Sequence, residues 1–306
     1  MLNDIQKQIL KEIADMVDIP DGAVNIRTDG EKSYRHNTEN IEIVSKTDKD
    51  GIDIHIKPFT KSEHVHIPVV VTKSGFHDMV YNDFFVGEGA EVKIVAGCGI
   101  HNCGDCDSEH DGIHTFPIGK NAKVTYIEKH YGEGEGTGER VLNPTTEIEM
   151  DENSYCEMEM VQIRGVDSTK RNTNAHLASG AKLFIFEKLM THGRQTAHSD
   201  VVIELNGEDA SAQIISRSVA KDESTQVFYP RAVGNARCRA HIQCDSIIMD
   251  GAHIRSIPEI AANHNEANII HEAAIGRINN DQLLKLQTLG KTADEAEEII
   301  INCFLK

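Results

Sequence analysis

The sequence predicts a mainly β chain wound as a β-solenoid, with one helix before the β region and a helical pair after it. Three observations carry this expectation. From about residue 40 to 258 the apolar signal has period two, as where Ile52, Ile54 and Ile56 alternate with Asp53, His55 and Lys57. A small or turn-forming pair then recurs ahead of short alternating strands: Gly89-Ala90, Asn121-Ala122, Asn153-Ser154, Gly180-Ala181, Asp209-Ala210, Asn235-Ala236 and Gly251-Ala252. These pairs start 32, 32, 27, 29, 26 and 16 residues apart. Coils that stack on one another, none able to bury its apolar face alone, give such a rhythm. A β-sandwich is the competing arrangement, with turns every 8–12 or so residues. Finally, helical spacing is confined to the two ends.

At the start, Ile5, Ile9, Ile13 and Met16 share one side of a helix over 4–17, with Leu10 and Val17 beside them and Asn3 as its cap. The pattern changes near Pro20. At the far end Leu283, Leu286 and Leu289 form a short helix that stops at Gly290, a favoured residue just past a helix terminus. Thr292 and Glu295 make a capping box for a second helix, whose apolar face reads Ala293, Ala296, Ile299, Ile300, Cys303 and Phe304. This pair either caps the open end of the solenoid or offers a docking face. The expected division is a helix over 1–20, a β-rich lead-in over 21–84, a β-helix core over 85–278 and a helical segment over 279–306.

Charge and composition exclude several functions. A net charge of −18, from 49 acidic and 31 basic residues, repels nucleic acid and anionic membrane surfaces. No apolar run approaches the roughly 20 residues of a membrane span, and MLNDIQKQILKEIADMV has no apolar signal core. Seven cysteines, an odd number, suggest reduced thiols and a cytoplasmic location. Trp is absent and aromatics are 5%, which argues against a carbohydrate enzyme built on stacking. GEGEGTGE at 132–139 is too acidic to cradle phosphate and reads as a mobile surface turn.

Two stretches could carry chemistry. CGIHNCGDCDSEHDGIH, at 98–114, sets Cys98, Cys103 and Cys106 in C-x4-C-x2-C spacing, with His101, His110 and His114 available as further ligands. Such a set suits zinc, copper(I) or an iron–sulfur cluster. Equally, Cys98 ends a strand, where a thiol packs like a small apolar residue. Near the C-terminus, Cys244 lies in an alternating strand and His271-Glu272 ends another. Their spacing alone is no metal motif.

Resemblance gives that second set its meaning. Cys244-Asp245-Ser246, Gly251-Ala252-His253, Ile257-Pro258-Glu259-Ile260, His271-Glu272-Ala273, Arg277-Ile278 and Asp281-Gln282-Leu283 follow in one order. The run resembles the C-terminal core of the SufB/SufD family of iron–sulfur cluster assembly scaffolds. The match is detailed over 241–305 and looser back to about residue 85. Holding Cys, His and Glu in one chain, it is SufB-like, and it is similar to the short, archaeal-type scaffolds that work with SufC alone. The resemblance implies a right-handed parallel β-helix and docking of a SufC-type ABC ATPase on the terminal helices. It also implies pairing of two subunits, here a homodimer, through C-terminal β-helix strands. A [4Fe-4S] or [2Fe-2S] cluster would be assembled at Cys244, His271 and Glu272, with sulfur taken from a donor and clusters handed to apo-proteins. The weaker candidate site is Cys98, Cys103 and Cys106, which maps to no feature of the better-known SufB. Ala274-Ile275 also stands where other members carry a Thr pair.

The expected function is therefore a non-enzymatic scaffold. No GxxxxGK[ST] loop is present, so ATP hydrolysis would belong to a partner. The alternative is a zinc-binding β-helix hydrolase drawing on the sixteen histidines, although HExxH is absent.

Overall fold

A computed structural model describes residues 2–306. Helix α1 (Asp4–Ala14) is followed by β1 (Ala23–Thr28), β2 (Glu31–His36), β3 (Ile41–Ser45) and β4 (Gly51–Ile56). The long strands begin with β5 (Glu63–Val71), β6 (His77–Val86), β7 (Glu91–His101), β8 (Ser108–Ile118) and β9 (Lys123–Glu133). Next come β10 (Arg140–Leu142), β11 (Thr145–Met150), β12 (Tyr155–Arg164), β13 (Ser168–Leu177), β14 (Lys182–Thr191) and β15 (Thr196–Leu205). The β region closes with β16 (Ser211–Ala220), β17 (Thr225–Gly234), β18 (Arg239–Ile248), β19 (His253–Ser256), β20 (Glu259–Ala262) and β21 (Asn268–Gly276). Helices α2 (Asn280–Thr288) and α3 (Ala293–Phe304) complete the chain.

Strands alternate between two sheets. One runs β2-β1-β5-β7-β9-β12-β14-β16-β18-β21, and the other β19-β17-β15-β13-β10-β8-β6-β4-β3 with β11 and β20 joined at its side. Within each sheet the long strands pair in parallel, so the chain forms a β-solenoid of about eight turns. Along one edge Glu91 pairs with Lys123, then Tyr155, Lys182, Ser211, Arg239 and Asn268, giving rungs of 27–32 residues. The parallel ladder also reaches earlier than residue 85, since β4 pairs β6 and β5 pairs β7.

The sequence rhythm has a backbone cause. Gly89, Asn121, Asn153, Gly180 and Asp209 all have φ between +56° and +68°. This left-handed conformation favours Gly, Asn and Asp. Each is followed by a small residue buried at 0–1% exposure: Ala90, Ala122, Ser154, Ala181 and Ala210. The last two pairs differ from expectation. Cys238, not Ala236, fills the buried corner, and positive φ falls on Asp250 rather than Gly251.

The core is the solenoid interior, filled by alternate strand residues such as Ile94, Phe116, Met158, Ile203 and Ile242. Helix α1 lies outside on β7, burying Ile9, Leu10 and Ile13, while Ile5 and Val17 remain exposed. Gly97 and Gly99 permit this approach; a Cβ on Gly99 would come within 2.1 Å of the Ile9 side chain. The expected cap at Asn3 and capping box at Thr292 form, Gln6 completing a box at Asn3 as well, and Gly290 takes φ +89°.

The C-terminal helices do not plug the solenoid. Helix α3 packs sideways, with Ile301 and Leu305 against Val219 and beside Ile247 and Met249. Its buried stripe is thus Ala296, Ile301 and Leu305, and Cys303 faces solvent, correcting the apolar face read from spacing. Helix α2 buries no side chain fully.

Candidate functional site

The last two strands of one sheet bring Cys244 and His271 together. Residues of β18 and β21 pair in register, with Ile242 opposite His271 and Cys244 opposite Ala273. Strand parity therefore turns Cys244 and His271 to the same, inner side. Cys244 Sγ lies 3.4 Å from His271 Nε2. The thiol is 2% exposed, and burial pushes it up to about 11. Burial also pushes the His271 imidazole down. Both groups are accordingly uncharged near neutral pH: a thiol and a neutral imidazole, each a competent donor to iron once the thiol loses its proton.

Glu272 goes the other way. As the neighbour of His271 in an extended strand it projects from the outer face, where its Oε1 lies 2.9 Å from His241 Nε2. One chain thus juxtaposes Cys244 and His271 and sets a separate His241–Glu272 pair on the opposite face. Among the described residues, no group of three or more His, Cys, Asp or Glu is arranged to hold a metal ion.

The opening cysteine stretch is divided by the fold. Cys98 faces the interior, whereas Cys103 and Cys106 are exposed in the turn after β7. Cys98 joins a line of buried polar residues that sequence spacing did not reveal as a unit. It stands opposite His130 in the β7–β9 register, and His110 and His130 are the charges that act on its thiol. His110 Nδ1 meets Asp78 Oδ2 at 3.3 Å, and Asp78 is clamped by Arg27 at 2.8 Å. Burial alone would raise the Cys98 thiol and lower the His110 imidazole. Their mutual attraction, with Asp78 behind it, reverses both directions, lowering the thiol and raising the imidazole.

Further along, burial would raise the Glu128 carboxyl, but Arg171, His130 and His114 hold it well below the usual range. Arg171 bonds Glu128 and lies 3.7 Å from Glu187, which accepts from Ser199 at 2.9 Å and Ser216 at 3.2 Å. Ser216 pairs in register with Cys244. The buried charges therefore run from Cys98 to the neighbour of Cys244. One signal could have found them: Glu128, His130, Arg171 and Glu187 occupy inward positions of alternating strands, where apolar residues belong.

GEGEGTGE also proves to be more than a loose turn. Gly136 N donates to Asn102 O at 3.1 Å and Gly138 N to Gly104 O at 3.1 Å. Cβ atoms on Gly134, Gly136 or Gly138 would come as close as 2.1–2.3 Å to the backbone of 102–106. The glycines let one turn stack directly on the cysteine turn below.

A SufBD family iron–sulfur cluster assembly protein of Methanocaldococcus jannaschii is 28% identical over 239 residues, covering 78% of this chain and 74% of its own. One from Pyrococcus horikoshii is 27% identical over 233 residues (76% and 69%), and one from Archaeoglobus fulgidus 26% over 264 residues (85% and 69%). Residues 72–304 match the SufBD core domain of the SUF system for FeS cluster assembly. That match takes in nearly the whole solenoid, both strands of the Cys244–His271 pair and the two terminal helices, and the chain belongs to the SufBD family of iron–sulfur cluster assembly proteins.

Proposed function

We propose that this protein is a non-enzymatic scaffold on which iron–sulfur clusters are built, with Cys244 and His271 as ligands to the nascent cluster. The observation that carries the reading is the 3.4 Å approach of the Cys244 thiol to the His271 imidazole in the last coil. A thiolate supplies most of the affinity for iron, and an imidazole holds it less firmly, which suits a cargo that must be released.

Two donors leave iron's coordination incomplete, so the reading includes a second copy of the chain. β21 forms the end of its sheet, and Ile257, Ile260, Ile270 and Ile275 are exposed around it. An unpaired strand edge with exposed apolar side chains favours pairing with another chain. A two-fold dimer there would place two Cys244–His271 pairs near one axis and let Glu272 on the outer face contribute from either subunit. ATP hydrolysis is assigned to a SufC-type ATPase docked on α2 and α3, where Leu284 and Leu289 are 58% and 74% exposed.

Anaerobic reconstitution with ferrous iron and sulfide tests the reading. The wild type should turn brown with charge-transfer absorbance, and Cys244→Ser should lose nearly all of it. Full absorbance in Cys244→Ser, with loss in a Cys98/Cys103/Cys106 triple substitution, would overturn the assignment.

A further inference from the structure

The cysteine turn on the opposite half of the solenoid carries its own chemistry. Cys103 Sγ lies 3.0 Å from His101 Nε2. His101 Nδ1 lies 3.1 Å from Glu133 Oε1. The carboxylate is itself fixed: its Oε2 accepts from Tyr131 Oη at 2.9 Å and from Gln8 Nε2 at 3.2 Å. A thiol, an imidazole at hydrogen-bond distance and a carboxylate orienting that imidazole are the parts of an activated nucleophile.

The fold builds this arrangement deliberately rather than by the accident of a loose loop. His101 and Glu133 end β7 and β9 and face each other in register. Buried Asn102 pins the turn, accepting from Gly104 N at 3.0 Å and donating to Cys106 O at 2.8 Å. The stacked glycines hold it from above. Cys103 nevertheless stays exposed, and Cys106 is exposed three residues on.

We propose that Cys103 and Cys106 form a thiol–disulfide exchange site, with Cys103 the attacking thiol, His101 its general base, Glu133 a positioning residue and Cys106 the resolving thiol. Its substrate class is an accessible disulfide, of a small molecule or of a peptide. His101 takes the Cys103 proton. The thiolate attacks one sulfur of R–S–S–R, forming Cys103–S–S–R and expelling R–S⁻, which recovers the proton. Cys106 loses its proton to solvent, attacks Cys103 Sγ, closes the Cys103–Cys106 disulfide and expels the second R–S⁻, which takes a proton back from solvent. Two protein thiols are oxidised and one disulfide is reduced to two thiols. C-x2-C spacing permits that ring, and Gly104 gives the turn its freedom. His101 stands on Cys103, whereas Cys106 Sγ has the Asp105 carboxylate 3.6 Å away, which sets the order of attack.

The test uses the full chain, reduced under anaerobic conditions, with oxidised glutathione as probe and Cys303 as the exposed control thiol. Peptide mass spectrometry should find a Cys103–Cys106 disulfide in the wild type and a glutathione adduct on Cys103, not Cys303, in Cys106→Ser. Iodoacetamide should alkylate Cys103 about tenfold faster than Cys303 near neutral pH. His101→Gln should remove that advantage. Glu133→Gln should reduce it and move the pH profile of the Cys103 rate, which a merely structural carboxylate would not do. The proposal falls if Cys103 reacts no faster than Cys303, a comparison that needs no variant to fold. It falls equally if folded His101→Gln keeps the wild-type rate, or if both thiols are protected until a chelator is added, which would make the turn a metal site.

Discussion

Cys244 and His271 approach as neutral groups, and that has a measurable consequence. Because burial holds the thiol up at about 11, binding iron as thiolate must release one proton near neutral pH. His271, pushed down by burial, is already neutral and releases none. Iron(II) affinity should therefore rise about tenfold per pH unit between about pH 7 and pH 9. Anaerobic iron titrations across that range check it, and a flat profile would mean that Cys244 does not bind as thiolate. His271→Ala should weaken binding less than Cys244→Ser, since water can fill the vacated position. Arg171 offers a second residue-scale outcome. It lies between Glu128 and Glu187 with about 5% of its side chain exposed, and replacing it by Leu strands a buried carboxylate. The expected loss is about 3–5 kcal/mol in urea unfolding.

Among the elements, α1 and α3 both clothe the solenoid's outer surface, by different means. Helix α1 needs bare backbone beneath it. Gly99→Val would drive a side chain into Ile9, costing on the order of 1–3 kcal/mol and lifting the helix. Limited proteolysis should then cut within the first twenty or so residues while the β region resists. Helix α3 is held by Ile301 and Leu305 on Val219 and by the Lys221–Glu297 ion pair, contacts on the flank rather than in the core. Removing residues 281–306 should accordingly leave the β fold intact by circular dichroism and abolish capture of a SufC-type ATPase. Capture by a folded truncation would show that the helices are not its docking element.

At the scale of the whole molecule, the solenoid has two unlike ends. The N-terminal end finishes in antiparallel pairs, β1 with β2 and β3 with β4, which leave the short strands β2 and β3 as its edges. At the C-terminal end no strand among the described residues pairs beyond β21, and Ile270 is 53% exposed there. Sedimentation should find a dimer at tens of micromolar, and Ile270→Lys should shift it to monomer by placing charge along the edge. A wild-type monomer at that concentration, with the ATPase present, would refute end-to-end pairing. Among the described residues, no helix is long and apolar enough to cross a membrane.

Local pattern was enough for the coil. Period-two alternation gives strands, the left-handed turn residues with buried alanines give rungs, and Asn3, Gly290 and Thr292 delimit helices, because each depends on neighbours a few residues away. The ordered elements around Cys244 and His271 likewise carried the family in their own chain order. What only the tertiary structure decided is which residues meet across rungs. Arg171 meets Glu128 across 43 residues, Cys244 meets His271 across 27, and Glu133 meets His101 across 32. The same parity separates near neighbours: Cys98 turns inward away from Cys103, and Glu272 turns outward away from His271. Helix α3 follows suit, since Val219 on a distant strand selects the face that buries Ile301 and leaves Cys303 in water. Spacing along the chain cannot supply this. Inter-strand register is set by turns of unequal length, and a one-residue slip in any of them sends every later side chain to the other face.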